Sequence, residues 1–96
     1  GVLAVDGGAF DALVGAGKSL LASGIKRVEG NFKAGDIVSL CDQRGHEFAR
    51  GLVNYSYEDL CKIMGKKTEE IRAILKSTSY QEVIHRDNLA VLTEKE

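Results

Sequence analysis

The residues that most invite a chemical role are Gly15-Ala16-Gly17-Lys18-Ser19, two glycines ahead of a lysine and a hydroxyl. That run looks like the second half of a phosphate-cradling loop. The full pattern needs glycine five positions before Gly17, and Ala12 stands there. Such a loop also has to follow a strand and open a helix, because its amides and the helix N-terminus hold the phosphate. Phe10, Leu13 and Val14 are spaced as one helical stripe, so a helix is predicted before Gly17 instead of after it. Gly17 then reads as the helix C-cap, with Lys18 beside the electronegative end. The chemistry left to Lys18 and Ser19 is contact with a nucleic-acid phosphate.

His46 and His85, with Cys41 and Cys61, have none of the spacings of a zinc site or a disulfide framework. His85-Arg86-Asp87 is the opening of a kinase catalytic loop, but the downstream Asn and the metal-binding Asp-Phe-Gly are missing, so a structural polar turn is expected. No serine or cysteine is marked as a triad nucleophile. Lys26 and Arg27 are adjacent, and on a strand they are expected on opposite faces, one of them sharing a surface with Lys18. Lys66-Lys67 reads as solvation of a turn.

The 96 residues carry 13 basic and 14 acidic side chains, a formal charge of -1. Neither half of the chain is basic, so the long-range field of a strong nucleic-acid binder is missing. The hydrophobic fraction of 44% and charged fraction of 28% fit a globular domain. No apolar run reaches the roughly 18 residues of a membrane span, and no signal peptide is visible. A cytoplasmic location is expected. Gly1 in place of a start methionine, followed at once by a strand-like run, is read as a fragment of a longer protein.

Elements able to hold these residues follow from periodicity and caps. Val2 to Val5, Ile25 to Glu29, Asp36 to Cys41, His46 to Asn54, Val83-Ile84 and Leu89 to Leu92 are six strand-like runs. Asp6, Ser56 and Thr68 are positioned to cap three helices. Asp42-Gln43-Arg44-Gly45 reads as a hairpin connection, and Gly51 as a close approach or a bulge inside a strand. Strands separated by turns more often than by helices argue against a doubly wound sheet. A small mixed barrel with helices on its flank is expected. Residues 1–92 are read as one domain and 93–96 as a frayed tail.

The run Gly17-Lys18-Ser19-Leu20-Leu21-Ala22-Ser23-Gly24-Ile25 resembles the signature of PUA domains, above all those that end glutamate 5-kinases. The resemblance continues through Val28-Glu29-Gly30-Asn31-Phe32, Gly35-Asp36 and Ala49 to Ser56, and ends with Glu82 to Leu89. It implies a mainly β, PUA-like mixed-strand pseudobarrel with short flanking helices. It also implies a parent enzyme that phosphorylates L-glutamate with Mg-ATP in proline biosynthesis. That chemistry would sit in an amino-acid-kinase domain upstream on the same chain, in a full-length homo-oligomer. The resemblance leaves this segment without a catalytic residue, metal or cofactor of its own. Two roles stay open. One is regulation or assembly. The other is RNA binding, for which the usual PUA surface maps to Gly17, Lys18, Ser19, Lys26 and Arg27.

Overall fold

The computed structural model describes residues 1–74 and 82–92. The apolar run Val2–Val5 forms β1, and Gly7–Gly15 forms α1. Asp6 starts this helix because its carboxylate accepts the Ala9 amide at 2.7 Å. Gly17 takes φ 62°, a left-handed angle, and turns the chain back. A 3₁₀ turn at Ala22–Gly24 leads into β2 (Ile25–Glu29). Next come β3 (Ile37–Cys41) and β4 (Glu47–Leu52). The hairpin between them is held by Asp42, whose Oδ1 accepts the amides of Arg44 at 2.9 Å and His46 at 3.0 Å.

Ser56 Oγ accepts the Asp59 amide at 3.2 Å and opens α2 (Tyr57–Ile63). The Gly65 amide then donates to the Ala22 carbonyl at 2.7 Å, tying the end of α2 to the 3₁₀ turn. Thr68–Ile74 forms α3, whose Glu70 accepts the Lys67 amide at 2.9 Å. Residues 93–96, expected to fray, lie outside the described residues. A second 3₁₀ turn, Arg86–Asn88, precedes β5 (Leu89–Val91).

The sheet order is β2-β1-β3-β4-β5, with β1 and β3 parallel and the other neighbours antiparallel. This corrects the expectation of a mainly β pseudobarrel. The sheet is open: β2 and β5 lie at opposite edges and do not pair with each other. Two features account for it. The Val83-Ile84 run contributes only an isolated bridge, Ile84 to Leu20, where a sixth strand was expected. The edge strand β2 is flanked by helix, since α2 packs on β2 and the Ala22–Gly24 turn. The three helices hold about as many residues as the five strands, so the class is mixed α/β.

The core lies between the sheet and these helices. Leu3, Val38 and Leu40 from the sheet meet Leu13, Leu20, Leu60, Ile63 and Ile84 in one buried cluster. Burial of each such side chain contributes about 1.5–3 kcal/mol. Gly51 sits where β4 passes under this cluster. A Cβ built there would lie 2.7 Å from Ile84 Cγ2 and 3.1 Å from the Asn88 carbonyl oxygen. The close approach expected from a glycine within a strand is therefore present.

Candidate functional site

A cleft of about 270 Å³ opens between α1 and the link that runs from Lys18 to Gly24. Its shape comes from two local devices. The amides of Ala16 and Lys18 both donate to the Ala12 carbonyl, at 3.2 and 3.1 Å, which closes α1 below the cleft. Gly24 lets α1 come close, since a Cβ there would lie 2.6 Å from the Ala9 Cβ. The Asp6 amide donates to the Gly24 carbonyl at 2.9 Å and fixes the far end.

Lys18 and Ser19 both line the cleft, and Gly17 forms the turn just before it. The Lys18 amide is consumed by the helix end, and the Asp6 carboxylate already occupies the opposite helix terminus. The segment therefore lacks the free amides of a phosphate loop. Ser19 Oγ accepts the Arg86 backbone amide at 2.8 Å, which ties the cleft's Lys18–Ser19 wall to the second 3₁₀ turn. The Lys18 and Arg86 side chains are exposed, and among the described residues neither has an ion-pair partner.

Lys26 and Arg27 do not line this cleft. The register of β1 on β2 shifts between Ala4 and Val5, leaving Lys26 as the extra residue. This bulge breaks the expected alternation, and both side chains are exposed on the edge strand. Arg27 is engaged by Glu29. Sequence reasoning missed Asp6 and Gly24 as members of the site and Arg86 as the residue whose amide ties Ser19 down. The Ser23-Gly24 pair carried a signal for a tight approach. Arg86 carried none, because it is 67 residues from Ser19.

Polar groups elsewhere serve local structure. His85 Nδ1 accepts the Asp87 amide at 3.1 Å and caps the second 3₁₀ turn. Burial pushes the Cys41 thiol up, away from the reactive thiolate. The hydrogen bond to Cys61 holds the Tyr57 hydroxyl up. Hydrogen bonds from the His46 and Arg44 amides hold the Asp42 carboxyl down. The Arg50 guanidinium, 2.7 Å away, does the same for Glu47. Among the described residues no three His, Cys, Asp or Glu side chains group as metal ligands. No helix among them is long and apolar enough to cross a membrane.

The sequence profile of the PUA domain matches residues 1–75. The chain belongs to the PUA domain family. The fold agrees. A PUA domain from Aeropyrum pernix, solved as a tartrate complex, superposes with a TM-score of 0.65 at 27% identity, covering 88% of this chain and 41% of that one. A conserved PUA domain protein from Thermoplasma acidophilum gives 0.58 at 23% identity, covering 75% and 53% of the two chains, a likeness of fold alone.

This PUA domain corresponds to the PUA region of glutamate 5-kinase homologues. It is 58% identical over 95 residues to the glutamate 5-kinase of Dictyoglomus turgidum, covering 99% of this chain and 25% of that protein. It is 56% identical over 96 residues to that of Caldanaerobacter subterraneus subsp. tengcongensis, covering 100% and 26%. The chain thus spans about a quarter of the length of the curated relatives it matches.

Proposed function

We propose that this PUA domain is a non-catalytic accessory module of a cytoplasmic, homo-oligomeric glutamate 5-kinase. In this reading an amino-acid-kinase domain on the same chain transfers phosphate from Mg-ATP to the side-chain carboxylate of L-glutamate, in proline biosynthesis. The PUA domain tunes assembly or feedback. The observation that carries it is identity above 50%, end to end, with a quarter of proteins bearing that name.

The test compares the full-length protein with a version ending before the PUA domain. Glutamate- and magnesium-dependent ADP release should persist, with the oligomeric state or the response to proline altered. Complete loss of turnover in a folded truncate would refute the accessory role, and so would a truncate indistinguishable from the whole in every respect.

A second reading, an RNA-binding module, is favoured by one observation: Lys18 is exposed at the cleft and has no ion-pair partner among the described residues. Its measure is a salt titration of RNA binding by wild type and Lys18→Ala. Removing one phosphate interaction with single-stranded RNA lowers the log–log salt slope by about 0.7. The neutral charge balance predicts no tight binding in the wild type.

A further inference from the structure

The two edges of the sheet are finished differently. β2 is guarded in three ways: a bulge at Lys26, exposed charges at Lys26, Arg27 and Glu29, and α2 packed against it. Bulges, edge charges and covering elements are the devices that keep one strand from recruiting another. Among the described residues β5 has none of them. Its pairing with β4 is regular, and Asn88-Leu89-Ala90-Val91-Leu92 holds no charge, glycine or proline. Val91 and Leu92 are each 40% exposed.

The ladder fixes which way this edge points. The Leu92 amide donates to the Phe48 carbonyl at 2.8 Å. In an antiparallel pair, Ala90 and Leu92 therefore turn their polar backbone groups to β4, and Leu89 and Val91 turn theirs outward. The Leu89 amide is taken by the Arg86 carbonyl. Among the described residues the Leu89 carbonyl and both backbone groups of Val91 are left open along the edge. Ala90 and Leu92 lie on the outer face of the sheet with Arg50, Ser39 and Ile37, the last 61% exposed. A groove of about 280 Å³ opens there, walled by Ile37, Arg50, Asn88, Leu89 and Ala90.

We infer that β5 pairs antiparallel with β5 of a second copy of this chain, about a two-fold axis at Ala90. The edge is complementary to itself in that register. The Val91 amide donates to the Leu89 carbonyl of the second copy, and the symmetry returns the bond. The two Ala90 residues meet as the close, non-hydrogen-bonded pair, which so small a side chain permits. Leu92 of the second copy falls opposite Asn88, at the mouth of the groove, where its exposed side chain is covered. The exposed Asp87 carboxylates are carried to opposite ends, whereas parallel pairing would set them side by side. The inference deepens the accessory-module reading, on which it rests for its place in the enzyme, by giving assembly a surface.

Sedimentation of the 96-residue chain over a range of concentrations tests it. A few edge residues bury little surface, so the dimer should be weak, with a dissociation constant on the order of 0.1–1 mM. Ala90 is exposed, so Ala90→Lys and Ala90→Glu should leave the melting temperature nearly unchanged. Either variant alone sets like charges together at the axis and should weaken pairing at least about tenfold. An equimolar mixture sets lysine opposite glutamate and should pair at least as tightly as wild type. In wild type the Val91 amide should exchange more slowly as the chain is concentrated. A wild type that stays monomeric to about 2 mM overturns the inference. So does association untouched by Ala90→Lys, or a mixture no better than the single variants. Slow Val91 exchange at every concentration would assign the edge to residues of the same chain and overturn it as well. No turnover is read here, so failed pairing and a wrong parent enzyme give different results.

Discussion

Gly51→Ala adds one carbon at the most crowded point of the sheet. The new Cβ would lie 2.7 Å from Ile84 Cγ2, 3.1 Å from the Asn88 carbonyl oxygen and 3.2 Å from Ile84 Cδ1. Ordinary carbon contacts are near 3.5–4.0 Å, so something must move by most of an ångström. Ile84 cannot move freely. It is fully buried, and its carbonyl accepts the Leu20 amide at 2.9 Å. The Asn88 oxygen is backbone and is held by the turn that precedes β5. Overpacking of this kind costs about 1–3 kcal/mol. In a domain of this size each kcal/mol moves the melting temperature by about 4–8 °C. Urea unfolding of wild type, Gly51→Ala, Ile84→Ala and the double variant measures it. Truncating Ile84 removes two of the three close contacts, so the second substitution should cost less on that background, with a coupling of at least about 0.5 kcal/mol. A Gly51→Ala variant within about 0.5 kcal/mol of wild type, or strict additivity, would refute the argument.

Asp6→Ala should destabilise the domain by about 0.5–2 kcal/mol through loss of the α1 cap, while Asp6→Asn should recover most of it; thermal melts of the three proteins are the check. Asp42→Asn keeps an acceptor oxygen but removes the ionisable group whose folded-state pKa is depressed below 3.8. The stabilisation from its charge is present above that unfolded value and fades as pH falls through the folded one. The variant should therefore melt below wild type at about pH 6 and converge with it by about pH 2, and a constant offset across the range would refute the charge as its source.

What the sequence made legible was local. Asp6 and Ser56 announce helix starts because caps are read within one turn of chain, and each takes the expected place, while Gly17 lies one residue past the C-cap Ala16. Five of the six strand-like runs became strands, with ends displaced by a residue or two. Closure of the sheet was not legible. It depends on which edges meet, and apolar runs as short as Val83-Ile84 pair or bridge according to distant partners. The relation of Lys26 to Arg27 failed for a similar reason, since one shift of register against β1 cancels the alternation. Half of the candidate site, Lys18 and Ser19, stood out as residue types. Arg86 joins them only through tertiary structure.

The seam between Leu20 and the segment at Val83 and Ile84 has a consequence for how the protein is made. The Leu20 amide donates to Ile84, the Val83 amide returns a bond to Leu20 at 2.7 Å, and Val83 and Ile84 are buried against residues from the first half of the chain. The nascent polypeptide cannot satisfy Leu20 until more than sixty further residues have been synthesised. Loop closure over that distance is costly and comes late. At 5–20 residues per second the first strands wait several seconds with an unfinished core. A polypeptide stopped at residue 75, where the family profile ends, would present that open core permanently. The last segment is thus the latch of a domain that becomes protease-resistant only as its synthesis finishes.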